Sequence, residues 1–335
     1  MPKYITMADV AREVGVSLMT VSRVINSKDG VSLPTRLRVL NAIERMGYRP
    51  SAIARSLATR QTGTVGLVVP DVADPFFTDV VRGVEQTAYV EDYNVFLCST
   101  DQDPEREWTV LESLEDKRVD GVILCSSRLD DDKLREVLSQ HMSVVLVNRR
   151  LKGEDSRVNT LLVDNSLGSR LAIRHLLSRG RRAVGVLAGP ADSPSGRQRV
   201  QSYRAVLRDA GVSYNSAWVR YCPAGMEDGQ DTARELLTAC PELTGVFCYN
   251  DLIAVGALRA CAELGYRVPN DLAVVGFDDI LLAAMVTPSL TTCRVPRYEL
   301  GTEAMRLLLS HVSSRASECE EVVLKPELVI RASAP

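Results

Sequence analysis

Two polar residue pairs near the amino terminus have the spacing of helix caps. Thr6 stands three residues before Asp9, and Ser17 stands three residues before Thr20. At this spacing a side-chain oxygen can accept hydrogen bonds from the open N–H groups of a first helical turn. Each pair therefore marks a helix start. The polar face that follows, which includes Arg23, carries groups that hydrogen-bond to phosphates and base edges.

The charge of the chain is divided between a basic start and an acidic remainder. Residues 1–60 hold ten Lys or Arg against four Asp or Glu, an excess of six positive charges, whereas the whole chain carries a formal charge of −3. A basic segment on an acidic protein indicates that this segment alone meets a polyanion. An ordinary basic pair of surface helices is the alternative interpretation.

Three short helices are predicted to position these groups. Apolar residues recur at helical spacing on both sides of Gly15, where a positive φ costs glycine little. A third helix is predicted to begin near Ser32 and Thr35 and to end at Gly47. This pattern is typical of a helix-turn-helix, whose second helix lies in a DNA major groove.

The segment after the third helix is predicted to form a helix of about two turns from Ser51, which is marginal alone in water. Leu57 is an apolar residue in this basic segment. It is either a linker residue that contacts the rest of the chain, or a wedge that opens a base step from the minor groove at a cost of about a few kcal/mol.

The remainder alternates apolar runs with amphipathic stretches, which is typical of βαβ units with parallel strands. The first set of predicted strands is Thr64–Pro70, Val95–Cys98, Gly121–Cys125 and Val144–Val147. The second set is Leu161–Val163, Ala183–Leu187, Gly245–Cys248 and Leu272–Gly276, with a last strand near 321–330. Helices are predicted near 75–91, 104–117, 130–140, 166–179, 196–210, 227–239, 251–264 and 296–312. Two doubly wound lobes with a ligand cleft between them follow from this pattern.

Motifs along the whole chain resemble the lactose/galactose repressor (LacI/GalR) family. In the basic segment they are Ala8–Ala11, Gly15–Ser17, Thr20–Asn26, Gly47–Pro50 and Ala54–Leu57. In the remainder they are Asp74–Phe77, Arg118–Val122, Asn250–Asp251, Val275–Asp279 and Thr287–Thr292. The resemblance implies an α/β protein with an all-α helix-turn-helix head and a two-lobed core of doubly wound parallel sheets, related in fold to periplasmic sugar-binding proteins. It also implies a repressor that binds a palindromic operator as a dimer and responds to a small effector in the interlobe cleft.

By this resemblance, Leu18, Met19 and Arg23 stand where family members read bases, and Leu57 stands where the family inserts a leucine at the centre of a palindrome. Leu18 and Met19 depart from the polar pairs common there, and they offer apolar contacts, for example to thymine methyl groups. The residues expected to contact DNA are Thr6, Ser17, Leu18, Met19, Thr20, Ser22, Arg23, Asn26, Tyr48, Ser51, Ala54, Arg55 and Leu57.

The resemblance also implies a set of effector contacts. They are Phe76, Asn148, Ser193, Ser195, Arg199, Asn250 and Asp278. Arg199 offers a rigid fork of donors for paired hydroxyls or a carboxylate. We expect Arg199→Ala to abolish the effector response and to leave folding nearly intact.

Four positions near the cleft bear on the expected burial of the cavity wall and on the class of ligand. Of the two phenylalanines after Pro75, Phe77 is expected to be buried and Phe76 exposed. Ala224 stands where some relatives stack a tryptophan under a sugar, which weakens a galactoside-like interpretation. Ser193 stands where purine-sensing relatives carry an arginine, which weakens the case for a purine effector. The expected effector is therefore a sugar, a sugar acid or a related metabolite.

The sequence shows no enzyme site. The three histidines lack metal-like spacing, and neither a nucleophile elbow nor a phosphate-binding loop occurs. The eight cysteines include no Cys-x-x-Cys pair, which is typical of buried thiols in a reducing compartment. We therefore expect no cofactor and no metal. No signal peptide and no apolar run of nearly twenty residues occurs, which favours a cytoplasmic protein without a membrane partner.

The expected domains are a head over 1–50, a hinge helix and linker over 51–62, and a core over 63–335. Within the core, the first lobe is expected to span about 63–161 and 293–320, and the second about 162–292 and 321–333. The first lobe near 72–120 is the expected dimer interface, and the lack of a leucine heptad after residue 331 favours a dimer over a tetramer. The competing classes are a cytoplasmic sugar-binding protein or cleft enzyme with a vestigial head, and an architectural DNA-binding protein.

Overall fold

The computed structural model describes residues 5–26, 28–48, 61–140, 143–151, 158–313 and 319–335. Contacts within the chain divide it into two units, a head, Met1–Gly63, and a core, Thr64–Pro335. The helical head and the two parallel-sheet lobes of the core confirm the predicted fold class.

The described part of the head holds three helices: α1 (Met7–Val14), α2 (Leu18–Ile25) and α3 (Leu33–Met46). Gly15 ends α1 with a φ of 71°, a left-handed conformation that glycine adopts without strain. The apolar residues of the three helices meet in one small core, made of Val10, Ala11, Val14, Val21, Val24, Val39, Ala42 and Tyr48. This shared core holds α1 and α2 at a fixed angle, because neither helix is long enough to be stable alone.

The first lobe is built on a six-stranded sheet of order β11-β5-β4-β3-β1-β2, in which every pair is parallel. Its elements up to the first crossing are β1 (Thr64–Val69), α4 (Pro75–Val90), β2 (Asn94–Ser99), α5 (Pro104–Asp116), β3 (Gly121–Cys125), α6 (Asp131–Gln140), β4 (Val144–Val147) and β5 (Asn159–Val163). The chain returns to this lobe with α12 (Arg297–Ser313) and β11 (Glu321–Leu324).

The second lobe is built on a sheet of order β12-β10-β9-β8-β6-β7, in which only β10 and β12 pair antiparallel. Its first elements are α7 (Asn165–Ser178), β6 (Val184–Leu187), α8 (Pro194–Asp209), a 3-10 turn (Ser216–Trp218), β7 (Val219–Arg220) and α9 (Met226–Ala239). They are followed by β8 (Gly245–Cys248), α10 (Asp251–Glu263), β9 (Ala273–Asp278), α11 (Leu281–Met285), β10 (Thr291–Arg294) and β12 (Glu327–Val329). In the described part of the chain, no helix is long and apolar enough to cross a membrane.

The strand assignment corrects the expected lobe boundaries. The run Leu161–Val163 was expected to open the second lobe, but it belongs to β5 and pairs with β4 of the first sheet. The single strand expected near 321–330 is two strands: β11 pairs with β5, and β12 pairs with β10 of the other sheet. β10, with residues 293 and 294, therefore lies in the second lobe. An apolar run shows that a strand is buried, but it does not show which neighbour the strand pairs with.

Three crossings connect the lobes: β5 to α7, β10 to α12, and β11 to β12. In the first lobe, α12, the helix that follows the crossing from β10, packs closely against α4. A Cβ at Gly301 would strike Val80 O, and one at Gly83 would strike Tyr298 O. The two helices can approach so closely only because glycine stands at both contacts.

The edge strand β2 differs from its prediction as a buried strand. Phe96 and Leu97 are both exposed, and β2 is the last strand of its sheet, where among the described residues it pairs with β1 alone. An exposed apolar edge strand is a surface on which another chain can pack.

Candidate functional site

The second helix of the head, α2, presents a mixed apolar and polar face to solvent. Val21 and Val24 are buried in the head core, whereas Leu18 is 53 % exposed and Met19 is 65 % exposed. Arg23 is exposed one turn further along the helix. α3 of the same head also exposes Leu33, Leu37 and Leu40, but among the described residues of the head only on α2 do adjacent exposed apolar side chains share a face with an exposed arginine at the capped start of a helix.

The caps predicted from the sequence hold α1 and α2 in place. The Ser17 Oγ accepts a hydrogen bond from Thr20 N at 3.1 Å. Thr6 Oγ1 accepts from Asp9 N at 3.3 Å, and Thr6 N donates to the Asp9 carboxylate at 3.0 Å, which completes a capping box. The hydrogen bonds from Thr6 lower the pKa of the Asp9 carboxyl, and the charge of Arg12 acts in the same direction.

The remaining expected DNA contacts have different surroundings. Ser22 is half-buried, and its backbone carbonyl accepts from Asn26 Nδ2 at 2.9 Å at the end of α2. Tyr48 is buried among the apolar residues of the head core. The expected contacts Ser51, Ala54, Arg55 and Leu57 lie outside the described residues.

The core holds a cavity of about 260 Å³ at the carboxyl ends of the strands of both sheets, between the two lobes. Six of the seven expected effector residues line it: Phe76, Asn148, Ser195, Arg199, Asn250 and Asp278. Ser193 is fully buried behind the wall and does not line the cavity. Its Oγ caps α8 by accepting from Gly196 N at 3.2 Å, and it lies 3.0 Å from Ser195 Oγ.

Arg199 is fixed by contacts on every side of its guanidinium. Its Nε and Nη2 donate to Asn165 Oδ1 at 3.2 and 2.9 Å, and its Nη1 donates to the backbone carbonyl of Tyr249. The guanidinium carbon lies 3.7 Å from the ring centroid of Phe277 and 4.6 Å from that of Tyr249. An arginine held in this way keeps one orientation. It therefore loses little conformational entropy when a ligand binds to its remaining donors.

Asp278 presents a buried carboxyl group to the cavity. It ends β9 with a φ of 113°, a backbone conformation that few residues other than glycine adopt. Within the described part of the chain, no group donates a hydrogen bond to its carboxylate. Burial raises the pKa of Asp278 well above its ordinary value, and the charge of Arg199 opposes that shift. Ligand hydroxyl groups can supply the missing donors.

Two amides frame the same cavity. Asn250 caps α10 by accepting from Ile253 N at 2.9 Å, and its Nδ2 donates to Ala224 O at 3.0 Å. Asn148 has a φ of 55° and accepts from Val163 N at 3.0 Å. Each amide keeps hydrogen-bonding capacity for a ligand, because an amide offers two donors and two acceptor positions.

The expectation that Phe76 is exposed is wrong. Phe76 and Phe77 are both buried, and their rings meet edge to face with centroids 5.0 Å apart. Asp74 accepts from Phe76 N at 2.9 Å and so begins α4 at the wall of the cavity. Because both lobes cover this point, even a side chain that lines the cavity loses most of its exposure to water.

Several lining residues were missed by the sequence interpretation: Asn165, Tyr249, Gln102, Ser126 and Arg128. All five follow the end of a strand by one to three residues, which is where doubly wound sheets bind ligands. That rule could have found them. Among the residues described, no group of three His, Cys, Asp or Glu side chains is arranged to hold a metal ion.

Comparison with known proteins gives two family matches. Residues 6–51 match the model of bacterial regulatory proteins of the lacI family, and residues 62–331 match the model of periplasmic binding proteins and the sugar-binding domain of the LacI family. The chain is 37 % identical over 331 residues to the HTH-type transcriptional repressor PurR of Mannheimia succiniciproducens, with 98 % of each chain covered.

Solved structures match over the same length. The transcriptional regulator CelR in complex with cellobiose has 34 % identity and a TM-score of 0.76, with 98 % of this chain and 99 % of that chain covered. The lac repressor dimer bound to operator and the anti-inducer ONPF has 27 % identity and a TM-score of 0.88, with 99 % of both chains covered. Each of these proteins therefore matches the head and the core together, in the same order along the chain.

Proposed function

The chain belongs to the LacI family of bacterial regulatory proteins, and on that premise we propose that it is a transcriptional repressor that acts on DNA in the cytoplasm. It binds a palindromic operator as a dimer, and a small polyhydroxylated effector in the interlobe cavity changes its affinity for that operator. The observation that carries the proposal is the solvent-facing surface of α2, where Leu18, Met19 and Arg23 stand on a capped helix of a basic head.

The proposed DNA contacts divide into base contacts and phosphate contacts. Leu18 and Met19 pack on thymine methyl groups, and Arg23 donates to base edges in the major groove. Ser17, Thr20 and Ser22 contact phosphates from the start and side of α2, while Thr6, Asn26 and Tyr48 support its position. The hinge contacts Ser51, Ala54, Arg55 and Leu57 complete the proposed set.

Dimerisation is proposed through the first lobe. Its open edge strand β2 exposes Phe96 and Leu97, and the end of α4 exposes Tyr89 and Val90. A twofold dimer built on this apolar surface would place two copies of α2 on successive half-sites of a palindrome.

The effector is proposed to bind between Arg199, Asn250 and Asp278, with Asn148 and Ser195 as further partners and Phe76 as an apolar wall. Ligand contacts with both lobes favour one relative orientation of the lobes, since the three crossings act as a hinge. The lobe orientation then sets the spacing of the two hinge segments, and with it the affinity for the operator.

The test is selection of DNA by the full-length protein from a random pool, followed by binding measurements at fixed salt. We expect a palindromic sequence that binds about a thousandfold or more tighter than random DNA. The double variant Leu18→Ala with Met19→Ala should weaken operator binding about tenfold and leave random DNA binding unchanged.

Leu33→Ala is the matched control, because Leu33 is an exposed leucine of the same head that lies on α3. Its operator affinity should equal that of the wild type. If selection yields no preferred sequence, or if Leu33→Ala loses as much affinity as the α2 variant, the proposed recognition surface is wrong.

A further inference from the structure

Arg128 is a buried guanidinium that faces the interlobe cavity with most of its donors unused. It follows β3 in the first lobe, lines the cavity, and has a side chain that is only 7 % exposed. Among the described residues, its guanidinium makes one hydrogen bond, from Nη2 to Gln102 Oε1 at 3.2 Å. Its other guanidinium nitrogens are not among the fully buried atoms that lack a partner, so they are accessible from the cavity and can donate to a ligand that supplies acceptors.

The loop that carries Arg128 is held rigidly from behind. The buried carboxylate of Glu107 on α5 accepts from Arg128 N at 2.9 Å and from Ser127 Oγ. Arg149 fixes the far side of the loop, because its Nη2 donates to Leu129 O at 3.1 Å and to Asp131 at 2.6 Å. Neither Glu107 nor Asp131 is among the residues that line the cavity. The guanidinium is therefore positioned before any ligand arrives.

The buried Glu107 carboxylate behind the loop also interacts with the Arg128 charge, whereas the acidic side chain on the cleft side of Arg128 is a weak competitor for a ligand. Asp192 of the second lobe approaches Arg128 Nη1 at 3.7 Å, which is beyond hydrogen-bond distance, and its side chain is 71 % exposed. Exposed ion pairs of this kind contribute little free energy. A bound anion could take the place of Asp192, and it would form shorter and better-aligned hydrogen bonds.

The charges deeper in the cavity also permit an anion. Burial raises the pKa of both Asp74 and Asp278, which disfavours their charged forms. Arg128 and Arg199 keep their charge, because a guanidinium does not lose its proton in proteins. Asp71 and Asp228 also line the cavity, and Asp228 is exposed to solvent.

We propose that Arg128 binds an anionic group of the effector, so that the effector is a polyhydroxylated molecule with one carboxylate or phosphate. The fork of donors on arginine matches the paired oxygens of either group. The hydroxyl groups of the same molecule are bound by Arg199, Asn250 and Asp278. This inference rests on the proposed function, because it assigns the ligand class of the cavity proposed to hold the effector.

The experiment compares neutral sugars with anions of the same skeleton on the full-length protein. The probes are D-glucose, D-glucuronate and D-glucose 6-phosphate, with D-ribose and D-ribose 5-phosphate as a second set. Thermal unfolding screens the probes, and calorimetry measures the dissociation constants. We expect at least one anion to bind more tightly than its neutral partner, and the uronate and phosphate arms show which group Arg128 recognises.

Two variants with opposite expected effects test the role of Arg128. Arg128→Gln should weaken binding of that anion about ten- to a hundredfold, the range of a hydrogen-bonded charge pair, and change the neutral partner less than threefold. Asp192→Asn should strengthen anion binding by about threefold, because it removes the competing carboxylate from an exposed position. The gain in Asp192→Asn should disappear when it is combined with Arg128→Gln, whereas a purely structural role for Arg128 predicts the same gain in both backgrounds.

The inference is overturned if no anion binds, if neutral sugars bind as tightly as their anions, or if neither variant changes the preference. Neutral sugars that bind without an anion preference would refute the role of Arg128 and leave the proposed effector cavity standing. Loss of the operator preference described above would refute the proposed function instead, whatever the cavity binds.

Discussion

Replacement of Arg199 by methionine removes one buried group that both binds the proposed effector and holds the second lobe together. The guanidinium satisfies Asn165 Oδ1 twice and the backbone carbonyl of Tyr249 once, and it is 7 % exposed. Methionine fills much of the same volume and keeps a flexible apolar stem against Phe277. The change therefore isolates the lost hydrogen bonds and the lost charge from the loss of packing.

The contacts of Arg199 set the expected magnitude. The substitution leaves two buried acceptors without a donor, and each unsatisfied group costs about 1–3 kcal/mol. Water entering the neighbouring cavity can satisfy part of that loss. We expect a destabilisation of about 3 kcal/mol, which for a unit of this size is about 6–12 °C in the unfolding temperature. These contacts replace the expectation from sequence that folding would be left nearly intact.

The assay is thermal unfolding of the full-length variant with and without effector, together with operator binding. We expect the variant to unfold at a lower temperature than the wild type, and addition of effector should not change that temperature. Its affinity for the operator should no longer respond to effector. Arg208→Met is the matched control, since Arg208 lies on the same helix and, among the described residues, pairs with the exposed Asp209 alone. An unfolding temperature equal to that of Arg208→Met, or a normal response to effector, would refute the assigned role of Arg199.

Three further predictions concern charge, DNA binding and helix packing. Burial raises the pKa of Asp278 above 3.8 in the folded protein. The folded state therefore keeps a proton that the unfolded chain releases, so the free energy of unfolding should fall as pH rises from about 4 towards the raised pKa. The measurement is the midpoint of urea unfolding as a function of pH, and Asp278→Asn should make its decline less steep. An unchanged decline would show that other groups cause it. Leu57→Ala should weaken operator binding and spare binding to random DNA, whereas equal losses would exclude the wedge role. Gly301→Ala should lower the free energy of unfolding in urea by about 1–3 kcal/mol, because the added Cβ strikes Val80 O. Thr302→Ala on the same helix is the control and should cost less. Equal urea midpoints for the two variants would contradict the close packing of the helices.

The local structure of the head could be predicted from the sequence, because short-range chemistry decides it. Ser17 and Thr20 stand at cap spacing, and Gly15 is the residue that adopts a positive φ at the turn. The same holds for residues at or just after strand ends in the core, such as Asp278 and Asn250. Their positions depend on where a strand stops, and an apolar run in the sequence shows that directly.

Tertiary structure alone decided which strands are neighbours and which side chains the lobes cover. β5 and β11 belong to the first sheet because of their pairing, which involves residues more than 150 positions apart, and no local pattern encodes it. Phe76 is buried in an apolar cluster that includes residues of both lobes. Arg128 gains its place in the cavity from Glu107, twenty-one residues earlier in the chain. Caps and periodicity are properties of a few adjacent residues, whereas burial and unpaired donors are properties of the assembled chain.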